Sequence, residues 1–255
     1  MGGKLLTRTT RTLVLTQEGK AFLPVAKNLL NQIDAAEREM KKRFALDLGH
    51  TSIAAMPSFA SSILPKIIKR FHTKYPNIKL SVDDVLSDTV IDLVNADLVE
   101  LGISFEPKHN GDLVFHPLYN DQFIVVLPQF HPLAKCHSIS WSELLKFELI
   151  TLQSPSSVRG LIEDTLSQHN IALNPAFDAH QLATVIRMVS NDLGVAVVPA
   201  LCKEQALEAG VICREINSPI IARRVGVISK PITSLSIAAK SMLETIKLYS
   251  LELRD

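Results

Sequence analysis

Cysteine is scarce. Three residues in 255, Cys136, Cys202 and Cys213, are too few and too scattered for a disulfide framework or a Cys-x-x-Cys metal site. The odd number points to a reducing compartment, so a cytoplasmic location is expected. No apolar run approaches the ~18 residues of a membrane span, and residues 1–8 lack the apolar segment of a secretory signal. A membrane partner is not expected. Charge of one sign is lacking too: 27 basic against 26 acidic residues leave +1, so any DNA contact must come from a local cluster. Proline (13) and glycine (10) are at ordinary levels and 47% of residues are hydrophobic, which excludes disordered and fibrous classes. Catalytic signatures are missing as well. There is no GxGxxG, P-loop, HExxH or GxSxG, and Gly102-Ile103-Ser104-Phe105-Glu106 lacks the second glycine. His131 and His137 bracket Cys136 without a second ligand pair. No enzyme, metal site or cofactor is expected.

What is present begins with a basic cluster. Lys4, Arg8 and Arg11 alternate with Thr7, Thr9, Thr10 and Thr12, and Leu13-Val14-Leu15 follows as a short apolar run. The pattern predicts a small hairpin whose hydroxyls and guanidinium groups suit phosphate oxygens; a frayed, solvated terminus is the competing reading. Thr16 then stands as an N-cap before Gln17-Glu18, and a helix is predicted to about Phe44. Phe22, Ala26, Leu29, Ile33, Ala36 and Met40 are spaced 4, 3, 4, 3 and 4 apart, an a/d-type seam. A helix of ~28 residues is ~40 Å long, so the seam predicts self-association; packing on its own chain is the alternative.

From Leu48 onward strands and helices alternate, the βαβ rhythm of a sheet with helices on its faces. Strands are predicted over residues 51–56, 78–82, 101–105, 123–127, 147–152, 176–179, 195–198 and 225–228, with helices between them and one at 234–251. Trp141 is expected to pack rather than stack on a ligand. Two such α/β units, joined twice, predict a bilobed domain whose ligand lies in the cleft at the strand ends. Ser58-Phe59-Ala60-Ser61-Ser62 and Ser154-Pro155-Ser156-Ser157 each lead from a strand into a helix, with Pro155 suited to the first helical position. Each sets hydroxyls beside free N–H groups at a positive helix end. Simple N-capping, which needs no ligand, is the competing reading.

With these pieces in place the chain resembles the LysR-type transcriptional regulators over nearly its whole length. Residues 3–11 followed by Val14-Leu15-Thr16-Gln17-Glu18-Gly19 are similar to the family's wing and the start of its linker helix. Tyr75-Pro76-Asn77-Ile78, His131-Pro132-Leu133-Ala134 and Gly194-Val195-Ala196-Val197-Val198-Pro199 are similar to stretches of its effector-binding domain. The resemblance implies an α/β fold: a bilobed, periplasmic-binding-protein-like effector domain of two Rossmann-like subdomains, preceded by a long linker helix and a remnant wing. It divides the chain into a wing (1–15), a linker and dimerisation helix (16–47) and an effector domain (48–255), with lobe I near 48–127 and 226–255 and lobe II near 128–225. The helix-turn-helix that precedes this wing in the family is expected to be truncated here, so promoter DNA is a partner of the full-length protein only. Lys4, Arg8, Thr9, Thr10 and Arg11 of the wing would meet the DNA backbone. The chain is expected to form a homodimer or homotetramer. The implied effector pocket comprises Ser58, Ser87, Ser104, Ser154, Ser156, Thr184, Pro199 and Ala200. With two helix N-termini and no opposing acid in these turns, the expected effector is a small anion such as a carboxylate. A stand-alone solute-binding protein of the same bilobed fold is the alternative, against which the free cysteines and the heptad-like helix argue.

Overall fold

The computed structural model describes residues 3–8, 13–109 and 111–252, and the chain divides into two compact units, Met1–Gly49 and His50–Asp255. In the first, β1 (Leu6–Arg8) pairs antiparallel with β2 (Leu13–Leu15), Leu6 facing Leu15. This is the expected hairpin. Lys4 and Arg8 are exposed; Thr9, Thr10 and Arg11 lie outside the described residues.

Helix α1 (Gln17–Phe44) starts where the cap chemistry predicts. The Thr16 hydroxyl accepts from the Gly19 N–H at 3.0 Å and donates to the Lys4 carbonyl at 2.8 Å, tying the helix to the segment before β1. A Cβ on Gly19 would lie 2.1 Å from the Leu5 carbonyl oxygen, so this close approach requires glycine. The helix continues through Pro24 and ends on Lys41, Lys42 and Arg43, whose charge complements the carboxyl-end dipole. Glu37–Lys41 (2.6 Å) and Glu39–Arg43 (3.0 Å) add acid-before-base pairs one turn apart. Along the seam Phe22 and Ala26 are half-buried, while Leu29, Ile33, Ala36 and Met40 are exposed, Ile33 to 62%.

The second unit is built on a mixed sheet. In chain order come β3 (Gly49–Ala55), α2 (Pro57–Ser62), α3 (Leu64–Lys74), β4 (Ile78–Asp84), α4 (Ser87–Asn95), β5 (Leu101–Phe105) and β6 (Val114–Leu127). There follow β7 (Ser138–Ser140), α5 (Trp141–Leu144), β8 (Leu149–Leu152), α6 (Ser157–Ser167), β9 (Phe177–Ala179), α7 (Leu182–Ser190) and β10 (Val195–Pro199). A 3-10 turn at Ala200–Cys202 leads to α8 (Lys203–Glu208), β11 (Ile212–Asn217), β12 (Ala222–Ser229) and α9 (Ile237–Glu252). Among the described residues the sheet orders β4-β3-β5-β12-β6-β10-β8-β9, with β11 on β6 and β7 on β11.

Strand β6 serves both halves. Residues 114–122 pair with β12, and residues 123–127 pair with β10 and β11. β3 runs parallel to β5, and β8 parallel to β10 and β9, so each half presents strand carboxyl ends leading into helices. The register between β6 and β12 shifts between Val225 and Gly226. A Cβ on Gly226 would meet the His116 carbonyl oxygen and the Phe115 ring at 2.5 Å, so that crossing is closed to any larger residue. Buried Phe59, Phe71, Ile53, Leu101 and Ile103 fill the first half. In the second, Trp141 is buried with its indole N–H on the Pro219 carbonyl at 3.0 Å, the packing role expected of it. Among the described residues no helix is long and apolar enough to cross a membrane.

Candidate functional site

The two halves of the sheet enclose a cleft of about 790 Å³, continued by a small cavity of about 30 Å³. Ser87, Asp88, Phe105, Ser156 and Ser157 line both. The first half contributes strand-to-helix turns. Pro57 occupies the first turn of α2, and Ser58 follows it, 5% exposed and facing the small cavity. Ser58 is not a capping residue: Met56 holds that position without a side-chain bond. Ser87 opens α4, with its hydroxyl 3.8 Å from the Met56 sulfur, and the buried Ser104 hydroxyl donates to the Ser87 carbonyl at 3.3 Å. These bonds fix the two turns against each other.

The second half faces them with the turn after β8. Pro155 does not take the first helical position: α6 begins at Ser157, Ser156 is its extended N-cap with a hydroxyl that accepts from the Arg159 N–H at 3.4 Å, and Pro155 lies ahead of the cap. Ser154 and Pro155 line the larger cavity. Arg159 is spent within this half, on Glu163 (2.7 Å), Asp178 (3.7 Å) and the Leu152 carbonyl (3.2 Å). Five of the expected effector residues, Ser58, Ser87, Ser104, Ser154 and Ser156, therefore converge on this cleft. Three do not line it. Thr184 is exposed on α7 beyond Gln181 and Leu182, which do touch the cavity; Pro199 is buried at the end of β10; Ala200 lines a different pocket.

The charge of the cleft differs from expectation. Asp88, Glu106, Glu163 and Asp164 line it, so opposing acids are present. Three are partnered: Glu106 with Arg224, Glu163 with Arg159, and Asp164 with Lys108 at 3.3 Å, a bridge from one half to the other. The missed residue is Arg223, on β12. Its guanidinium stacks 5.6 Å from the Phe105 ring centre and donates to the Glu106 carbonyl at 2.7 Å. Burial lowers its pKa, and Asp88, Glu106 and Asp164 oppose that shift. The only sequence cue was the Arg223-Arg224 pair ahead of a buried strand. The cleft thus combines serine hydroxyls, two helix starts and one half-buried cation with acceptor carboxylates at the edge.

Hydroxyls on strand-to-helix turns facing across a two-lobed cleft define a small-molecule receptor of the bilobed binding-protein type. Comparison with known proteins places it. Residues 45–249 match the LysR substrate binding domain. Among curated relatives, an uncharacterized HTH-type transcriptional regulator of Escherichia coli strain K12, YbhD, is 30% identical over 237 residues, 93% of this chain and 75% of that one. The effector-binding domain of QuiR, solved with shikimate, superposes with a TM-score of 0.71 at 21% identity, over 80% of this chain and 98% of that one. The regulatory domain of Synechocystis CcmR, solved with 2-PG, gives 0.72 at 18% identity, over 79% and 97%. At such identities the structures establish the fold alone, which is periplasmic-binding-protein-like. The chain belongs to the LysR family of transcriptional regulators and carries their effector-binding domain. Family membership decides against the stand-alone solute-binding protein.

Proposed function

We propose that this chain senses a small, polar organic acid carrying hydroxyl or amino groups, and that the inter-lobe cleft holds it. The convergence of five serines and Arg223 on one cleft supports this reading. Arg223, the serine hydroxyls and the start of α4 offer donors to a carboxylate. Asp88 and Glu106 offer acceptors to hydroxyl or ammonium groups elsewhere on the ligand. QuiR with shikimate and CcmR with 2-PG are neighbours in fold whose ligands are small molecules. The sensing role makes the chain a binding protein and not a catalyst, in a reducing, cytoplasmic setting. The division into wing (1–15), linker helix (16–47) and effector domain (48–255) fits the same reading. So does self-association through the α1 seam, and so do phosphate contacts from Lys4 and Arg8 when the whole regulator meets promoter DNA.

Calorimetry with a panel of small hydroxy-carboxylates, shikimate and 2-PG among them, tests the reading. A hydrogen bond to a charged ligand is worth about 1.5–3 kcal/mol, so Ser58→Ala, Ser154→Ala and Arg223→Gln are each expected to weaken binding ~10- to 150-fold without unfolding the domain. A ligand bound outside the cleft, or three variants that bind like the parent, overturns it.

A further inference from the structure

A second pocket lies away from the cleft, where β6 passes from one half of the sheet to the other. It has a volume of about 600 Å³ and is lined by Tyr119, Asp121, Ser62 and Leu201, among others. Asp121 stands opposite Arg223 in the last pairs of β6 with β12, two residues before pairing with β10 begins at Phe123. Its carboxylate receives the backbone N–H groups of Ala200 and Leu201 from the turn after β10. The side chain is 4% exposed, yet Oδ2 has no hydrogen-bond partner among the described residues, and neither does the Tyr119 hydroxyl. Both atoms are shut off from solvent on residues that border this one cavity, and buried polar atoms without partners are costly unless a ligand or a proton satisfies them.

We propose that this hinge pocket is a second ligand site, which takes a primary ammonium group on a short apolar stem. The ammonium has three donors and a compact charge. It can bond both Asp121 Oδ2 and the Tyr119 hydroxyl, and it offsets the buried negative charge. The stem lies against Ile63, Leu201 and the Tyr249 ring. The basic groups near the site do not fill this role. Lys66 on α3 is exposed and held by Glu204 of α8 at 3.1 Å, and Lys203 is exposed at the rim. Arg223 is turned to Phe105 and Glu106, and the neighbouring Cys202 thiol is buried and pushed up to about 12 by burial. The site spans the two halves, since Lys66 and Ser62 come from the first and Leu201 and Glu204 from the second. Helix α2 joins it to the cleft, with Ser58 at one end and Ser62 donating back to the Ser58 carbonyl at the other. Occupancy is therefore placed to bias the cleft. The site itself does not depend on what the cleft binds.

A proton competes with the ammonium, because burial pushes the Asp121 carboxyl up to about 7. The ionised fraction falls ~30-fold between pH 8 and pH 5.5, and affinity for a cation must follow it. The test is an amide-shift titration of the whole 255-residue chain with n-butylammonium chloride, and separately with potassium butyrate, at constant ionic strength. Butylammonium is expected to shift the Ala200 and Leu201 amides saturably at pH 8, ~30-fold more weakly at pH 5.5, while butyrate does not saturate. Asp121→Asn is expected to abolish the response. Tyr119→Phe, which removes one oxygen and keeps the ring, weakens it several-fold and keeps the inference testable should the Asn variant misfold. The inference is overturned by no saturable shift at about 50 mM butylammonium, by equal responses to butyrate, or by an Asn variant that still binds. Shifts centred on Ser156 and Ser157 would place the cation in the cleft and overturn it too.

Discussion

Asp121 also makes the fold sensitive to pH in a direction opposite to most carboxylates. Burial lifts it from 3.8 to about 7 in the folded chain, and the N–H groups of Leu201 and Ala200 only partly oppose that. Between these values the folded state holds a proton that the unfolded state has released. Stability from this group is therefore fully present below pH 3.8 and is lost as pH rises through about 7. Integrating between pH 5.5 and pH 8 gives a loss of about 2 kcal/mol. Asp121→Asn removes the titration, and its amide can offer a donor where Oδ2 has no partner. A neutral Asn stands for the protonated acid at every pH, so the variant's advantage over the parent is expected to grow by about 2 kcal/mol between pH 5.5 and pH 8. Urea unfolding read through Trp141, the single tryptophan of the chain, measures this. Burial lowers the pKa of His116 and His131, which pulls stability the other way below their ordinary range. Both chains share those histidines, so they cancel in the difference. Parallel pH profiles for parent and variant, at equal protein concentration, would refute the reasoning.

Two further perturbations test the frame. Leu29→Asp with Ile33→Asp puts charges on the exposed seam of α1 and is expected to lower the oligomeric state in sedimentation; a parent that is already monomeric at tens of micromolar contradicts self-association through that seam. Gly226→Ala forces a methyl to 2.5 Å from the His116 carbonyl oxygen, where backbone must move, so a loss of roughly 1–3 kcal/mol is expected. An unchanged urea midpoint would show that the β6–β12 crossing yields more easily than its geometry indicates.

Much of the fold was legible because its signals are local. Thr16 caps α1 through one hydroxyl, and the 3-and-4 spacing carries the helix through Pro24. Strands such as β5 and β10 are short apolar runs ended by a turn or proline. The first part of β6 was not legible, since His116, Pro117, Asn120, Asp121 and Gln122 break any alternation. Those residues are tolerated because Pro117 sits at the register shift, and because the polar group after it marks the strand's passage between the two halves. Short α2 and α8 were missed for a similar reason: six residues of each carry too little periodicity to separate a helix from a turn.

The same distinction governs the cleft. Its serines were legible because each lies near the carboxyl end of a strand or the first turn of a helix, where hydroxyls meet free N–H groups. Thr184 and Ala200 fell outside because helix phase and the turn after β10 aim them elsewhere, which spacing alone does not reveal. Arg223 was illegible for a topological reason. It arrives on the return strand β12, and only the pairing of β12 with β5 and β6 sets it beside Phe105 and Glu106. The carboxylates follow the same rule, as Glu106 and Asp164 reach one cleft from different halves of the sheet. Local sequence therefore locates the hydroxyls of such a receptor. The balance of charge that selects among its ligands is assembled by long-range strand pairing.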